Sequence, residues 1–287
     1  MRYVKKFLFI ILIILLFLVA IGMIAYFGHK LHNTLKTYKI GEDTYSNSAQ
    51  SFVREHITQH EPKPTPTPAM STVRPSAAGP TAAQAETTSD PEMETSPVSV
   101  DFEKLWEINE EVCGWIYAPW INVNYPVAQT NDNYYYVRYM YDHRENSAGC
   151  IFVDYRNHND FSDLNTIVYG HSMGNHTMFN DFQRYYNEPE LFYEHPSIYY
   201  STPDKDYRMD ILACVIVHGA SDSYTIFCGT DELGEYLQRM KEIDILQNNF
   251  DVDAIDRIVT FSSCAHVFAG SRYVVICHPV ELPRRGD

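Results

Sequence analysis

The stretch "TFSSCAHVFAGSRYVVICHP", Thr260 to Pro279, sets a cysteine after a run of small hydroxyl residues and an arginine eight positions later. A thiol becomes a strong nucleophile only as thiolate, which requires a nearby cation or base and partial exposure. Cys264 falls where the apolar run "RIVTF" gives way to Ser-Ser-Cys-Ala, a pattern expected at a strand end. Taken alone it reads as a packed cysteine, the commoner situation for a free thiol. Arg272 alters that reading. It opens the next strand, "RYVVIC", so the short excursion "AHVFAGS" can bring it back beside Cys264, where fixed N–H donors suit a developing oxyanion. A base would complete the set. His171, in "NTIVYGHSMGNHTMF", follows a β-run and precedes a helical pattern, a placement from which a side chain meets others at one rim. His158, His176, His218, His266 and His278 compete with it, and spacing does not choose among them. His171 and His176 also form an H-x4-H pair, a weak metal signal on a loop with no third ligand implied.

Short strands must position these groups. "INVNYPV" alternates Ile121, Val123, Tyr125 and Val127 on one face; "CIFVD", "NTIVYG", "SIYYS", "YRMDILACVIV", "RIVTFSS" and "RYVVIC" are β-branched or aromatic runs bounded by turn residues. Helical spacing places Phe102, Leu105 and Trp106 in an opening helix, Met178, Phe179, Phe182 and Tyr186 in a second, and Leu233, Tyr236, Leu237 and Met240 in a third. The third lies just before the cysteine strand. Many short strands with a few inserted helices predict a mostly β fold with added helices, closed or nearly closed into a β-barrel.

The rest of the chain concerns delivery. Of its 287 residues 22 are Lys or Arg and 37 Asp or Glu, a formal charge of −15 that disfavours nucleic acid as a partner. Residues 7–27 are uncharged and long enough to cross about 30 Å of hydrocarbon, and no cleavage pattern follows. They predict an uncleaved signal anchor. Arg2, Lys5 and Lys6 before the span nearly balance Lys30, Lys36 and Lys39 after it; the short basic tail of residues 1–6 favours a cytoplasmic N-terminus. Residues 28–60 read as a frayed juxtamembrane helix. Eight of the 15 prolines lie between Pro62 and Pro97, so residues 61–97, rich in Pro, Thr, Ala and Ser, read as a disordered stalk. From Val98 to residue 287 the chain has enough apolar content for one compact domain, and the acidic excess lies within it. Six scattered cysteines without C-x-x-C spacing argue against a zinc ribbon.

With these residues in view, the chain resembles the sortases, and within them class B. The resemblance covers about residues 98–280. It rests on Tyr-Gly-His at 169–171, on Ser-x-Cys closing a strand, on the arginine that follows, and on "GWIYAPWINVNYPVAQTNDNYYYV", which is similar to the family's opening strands. It implies a closed barrel of about eight strands, with an N-terminal helix and a helix inserted before the cysteine strand. It also implies a membrane-anchored cysteine transpeptidase that cleaves a C-terminal sorting motif of exported proteins at a Thr–X bond. Cys264 would be the nucleophile, His171 the acid/base and Arg272 the oxyanion stabiliser. Asn133, Val137, Tyr169, Tyr224 and Ser262 would line the substrate groove, with no cofactor and no metal. The acceptor would be an amine of a peptidoglycan precursor or, in a pilus-building relative, a pilin lysine, and the catalytic domain would be extracellular. The family's Thr-Leu-x-Thr-Cys reads here Thr260-Phe261-Ser262-Ser263-Cys264, which keeps a hydroxyl but loses a methyl in the groove. A cysteine hydrolase and a non-catalytic wall-binding module are the other classes that the same features allow.

Overall fold

In a computed structural model the described residues are 2–56, 94–265, 267 and 269–284. His266 and residues 61–93 of the expected stalk lie outside them.

The helix does not stop where the apolar run ends. Helix α1 (Arg2–Phe52) is continuous, about 77 Å at the α-helical rise, and its N-terminal part has a window of mean hydropathy 3.4, wholly exposed. Among the described residues this is the one helix long and apolar enough to cross a membrane. The juxtamembrane stretch expected to fray is helical instead, for a packing reason. Gly41, Thr44, Tyr45, Ser48 and Phe52 recur on one face and are all buried, and Gly41 permits close approach, since a Cβ there would sit 3.3 Å from the Ala148 Cβ. Tyr45 and Phe52 enter the same hydrophobic cluster as the barrel interior. After Phe52 the chain turns into β1 (Val53–Glu55), which pairs antiparallel with β2 (Val98–Val100). His56 N–H donates to Pro97 O at 2.7 Å. Residues 94–97 therefore lie on the folded domain rather than extending from it, and Glu94 pairs with Arg208 and accepts from the Tyr199 hydroxyl.

Beyond α2 (Phe102–Trp106), eight strands close a mixed barrel: β3 (Val112–Ala118), β4 (Val123–Ala128), β5 (Ile151–Val153), β6 (Asn165–Tyr169), β7 (Ser197–Ser201), β8 (Asp206–His218), β9 (Ile258–Cys264) and β10 (Ser271–Leu282). Around the barrel the order is β10-β8-β7-β3-β4-β5-β6-β9, with β4–β5 and β6–β9 parallel and the remaining pairs antiparallel. Closure leaves no bare strand edge.

Local departures from the expected elements have local causes. β4 begins at Val123 rather than Ile121, because Pro119–Ile121 form a 3₁₀ turn ended by Asn122 at φ +53°. The helix anticipated from Met178 starts later, as α3 (Gln183–Asn187) after a 3₁₀ turn, since His176 and Met178 hold left-handed φ angles of +60° and +59°. A short α4 (Glu190–Glu194) follows. The helix before the cysteine strand is α5 (Thr230–Ile243), with Leu233, Tyr236, Leu237 and Met240 all buried as one stripe. They cover the outer face of β8 and β10 with Leu212, Val215 and Val274.

Candidate active site

Strand β9 is the last element on one side of the site and β10 the first on the other. Side chains alternate along β9. Phe261 points into the barrel against Phe179 and Phe182, whereas Thr260, Ser262 and Cys264 point outward. Thr260 Oγ1 donates to Asn165 Oδ1 at 2.7 Å, and Ser262 Oγ bonds the Tyr224 hydroxyl at 2.7 Å. Both are covered by the Asp222–Tyr224 turn. Cys264, one step further, emerges from that cover and is partly exposed. Arg272 is its direct cross-strand partner in the β9–β10 register. Directly opposed residues of an antiparallel pair project to the same face with Cβ atoms about 5 Å apart, so thiol and guanidinium share one surface. Arg272 Nη1 donates to Ser271 O at 3.0 Å, and no carboxylate pairs with it among the described residues.

Both groups line a cleft of about 370 Å3 together with His171, which lies two residues beyond the end of β6. All five expected groove residues, Asn133, Val137, Tyr169, Tyr224 and Ser262, line the same cleft. Wider grooves flank α1 where it lies on the barrel, but neither contains a cysteine or a histidine. The competing histidines are engaged elsewhere: His158 on Asp163, His176 on Asp181, His278 on Asp256, and His218 accepting from Ala220 N–H. Among the described residues no group of three His, Cys, Asp or Glu side chains is arranged to hold a metal.

The histidine's proton has a definite seat. His171 Nε2 lies 2.8 Å from Val137 O, and a carbonyl only accepts, so Nε2 carries the hydrogen and Nδ1 is the nitrogen left to exchange protons. Val137 thus contributes its backbone as well as its side chain. The cysteines also separate. All six are unpaired; Cys113, Cys150, Cys214 and Cys277 are buried, and burial pushes their thiols up, Cys113 to about 12. Cys264 and the exposed Cys228 are the two that meet solvent.

Beneath the groove lies a carboxylate that the sequence did not single out. Asp154, fully buried at the end of β5, accepts from Asn133 Nδ2 at 3.0 Å, from the Tyr169 hydroxyl at 2.9 Å and from both forks of Arg156 at 2.8 Å. Arg156 in turn donates to Tyr224 O at 3.2 Å. Three groove residues on separate segments are thereby tied to one acceptor. Asn133 Oδ1 accepts Tyr155 N–H at 3.0 Å, so both ends of its amide are held. Asn165 pins the Tyr224 turn from below through Ser223 O and Thr225 O. Burial pushes the Asp154 carboxyl up, but the Arg156 and Tyr169 hydrogen bonds outweigh it and hold it below the usual value. Tyr169 is pushed up by burial and by Asp154, and so stays a neutral donor. Tyr224 is pushed up by burial, while Ser262 and the charge of Arg272 pull it back. A "VDYR" after a short strand is the only trace of Asp154 and Arg156 in the sequence, and it looks like any turn.

A thiol, an imidazole and a guanidinium line one cleft at the rim of a closed eight-stranded mixed barrel, the groups that cysteine-dependent acyl transfer uses. The chain is 34% identical over 167 residues to sortase B of Listeria monocytogenes, covering 57% of this chain and 67% of the relative. It is 27% identical over 189 residues to sortase B of Staphylococcus aureus, covering 64% and 77%. A Staphylococcus aureus sortase B–substrate complex superposes with a TM-score of 0.58 at 26% identity, over 63% of this chain and 85% of that one. No protein-family model matches the chain. The chain belongs to the sortase B family, and its function is that of a sortase transpeptidase.

Proposed function

We propose that this sortase works through Cys264 as nucleophile, His171 as acid/base and Arg272 as oxyanion donor, acting on a C-terminal sorting motif of exported proteins. The observation that carries the reading is the β9–β10 register, which sets Arg272 opposite Cys264 at the mouth of a cleft that His171 also lines. The Cys264 thiol gives its proton to His171 Nδ1, the thiolate attacks the carbonyl of a Thr–X bond, a C–S bond forms, and the displaced electron pair resides on oxygen against the Arg272 guanidinium. As the C–N bond breaks, the leaving amine takes a proton from His171 Nδ1, and a thioester remains. An incoming amine of a cell-wall precursor loses its proton to His171, attacks the thioester and forms an amide, and the thiolate returns.

Residues 7–27 serve as a single-pass anchor with residues 1–6 in the cytoplasm and the barrel outside. Since the barrel is docked on the helix that continues the span, residues 28–40 set its height, about 20 Å above the bilayer. Tethering raises the local concentration of the enzyme over a membrane-bound acceptor. The β1–β2 pair holds the strands that flank the Pro-rich segment side by side, which counts against its use as a spacer. In the test, a sorting peptide is incubated with and without an added amine. Amide product formed only with amine, at the expense of free acid, supports transpeptidation; free acid alone, unchanged by amine, points to a cysteine hydrolase. Supplying a glycyl amine against a lysine ε-amine distinguishes wall anchoring from pilin polymerisation.

A further inference from the structure

We propose that the anchoring helix belongs to the catalytic apparatus, with Tyr45 a positioning residue for His171 that acts through Gly149 and the Val137 carbonyl. The inference rests on the acid/base role of His171 proposed above.

The imidazole is oriented by its bond to Val137 O. Val137 sits in an irregular stretch between β4 and β5, so something other than a strand ladder must hold that carbonyl. Directly behind it is Gly149, at φ +57°, where an added Cβ would fall 2.9 Å from Val137 O and 3.1 Å from His171 Cδ2. The Gly149 backbone is therefore the back wall of the histidine, and only glycine fits. That wall is fastened to α1. The Tyr45 hydroxyl donates to Gly149 O; Gly149 N–H donates to Asn146 O at 3.0 Å; and Asn146 Nδ2 donates to Thr37 O, also at 3.0 Å. Arg144 Nη2 adds a bond to Thr44 Oγ1 at 2.8 Å. Tyr45 is buried, edge-on to Tyr125 at 5.2 Å, and burial keeps its phenol protonated, so the hydroxyl remains a donor with Gly149 O as its acceptor. Three ties from one helix thus converge on the β4–β5 stretch, which also carries the acceptor of the imidazole, Val137 O.

A mere docking contact would change stability and leave the chemistry alone. A positioning contact changes kcat and the histidine limb of the pH profile while sparing KM, because the groove residues hang on Asp154 instead. The full-length protein in liposomes is compared with Tyr45→Phe, which keeps the ring and removes the hydroxyl, with Asn146→Ala, which cuts the Thr37 tie, and with His171→Ala. Loss of one buried hydrogen bond should lower kcat about tenfold in each of the first two, with KM within about twofold and the His171 limb displaced. Wild-type kcat and pH profile in Tyr45→Phe and Asn146→Ala, beside an inactive His171→Ala, would overturn the positioning role alone, as would a change confined to Tm or to KM. Full turnover in His171→Ala would instead overturn the acid/base assignment beneath it. Should Tyr45→Phe fail to fold, Asn146→Ala decides by the same measurements.

Discussion

Replacing Asp154 by alanine should separate substrate recognition from chemistry. Apart from the Arg156 guanidinium, the substitution strips the acceptor from three donors: the Arg156 backbone N–H, and the Tyr169 hydroxyl and Asn133 amide, the latter two each left unsatisfied at about 1–3 kcal/mol. The lost ion pair adds little, because the Arg156 side chain is 41% exposed and recovers water, an effect under about 1 kcal/mol. The whole change should lower stability by about 3–5 kcal/mol, with ΔG measured by denaturant titration. If about 1.4 kcal/mol of it appears as a misplaced groove, KM for a sorting peptide rises about tenfold. Cys264, His171 and Arg272 take no hydrogen bond from Asp154, so kcat should stay within a few-fold. Steady-state kinetics with a quenched fluorescent peptide read both constants, and Arg156→Ala should move KM less than Asp154→Ala does. The pH dependence has a definite sign. A carboxyl whose folded pKa lies below the ordinary aspartate value of 3.8 contributes stability that is fully present above that value and is lost as pH falls through the lower, folded one. KM should therefore be flat from neutrality down to about pH 5. A KM that is unchanged in Asp154→Ala, or a kcat that collapses while KM holds, would refute the reasoning.

Arg272→Ala should reduce kcat by about 10²–10³-fold, the usual cost of losing an oxyanion donor, with smaller recovery in Arg272→Lys because an ammonium lacks the planar fork; single-turnover acylation rates check this. Brief treatment of the folded protein with iodoacetamide, followed by peptide mapping, should label Cys264 and the exposed Cys228 and leave Cys113, Cys150, Cys214 and Cys277 unmodified, since burial holds those four as thiols. Replacing residues 57–93 by a short Gly/Ser linker should leave Tm and peptide turnover near the parent values, because the β1–β2 pair already brings both ends of the segment to one place.

How far the sequence reveals this site depends on how local each contact is. Cys264 and Arg272 are legible because a short excursion joins their strands, and the register then makes them opposite one another. His171 is a candidate by its place after a β-run, but only family resemblance chooses it; what separates it from His158, His176 and His278 is that each of those faces an aspartate, a fact of the folded chain. The α5 stripe was plain from Leu233, Tyr236, Leu237 and Met240 at helical spacing. The docking face of α1 was not, because Gly41, Thr44, Tyr45 and Ser48 are too small or polar to register as an apolar stripe, although close packing is what small residues permit. Asp154 and Gly149 were invisible for another reason. An aspartate after a strand and a glycine in a loop are ordinary turn residues until partners 15 to 104 positions away meet them.

The most direct test of the account is to trap the acyl-enzyme. A library of sorting peptides is mixed with the protein, quenched in acid and examined by mass spectrometry. The account predicts an adduct on Cys264 whose mass equals the peptide fragment ending at threonine, absent from Cys264→Ala and discharged to an amide by added amine. Amide product formed by Cys264→Ala, or turnover with the adduct on a different residue, would contradict it.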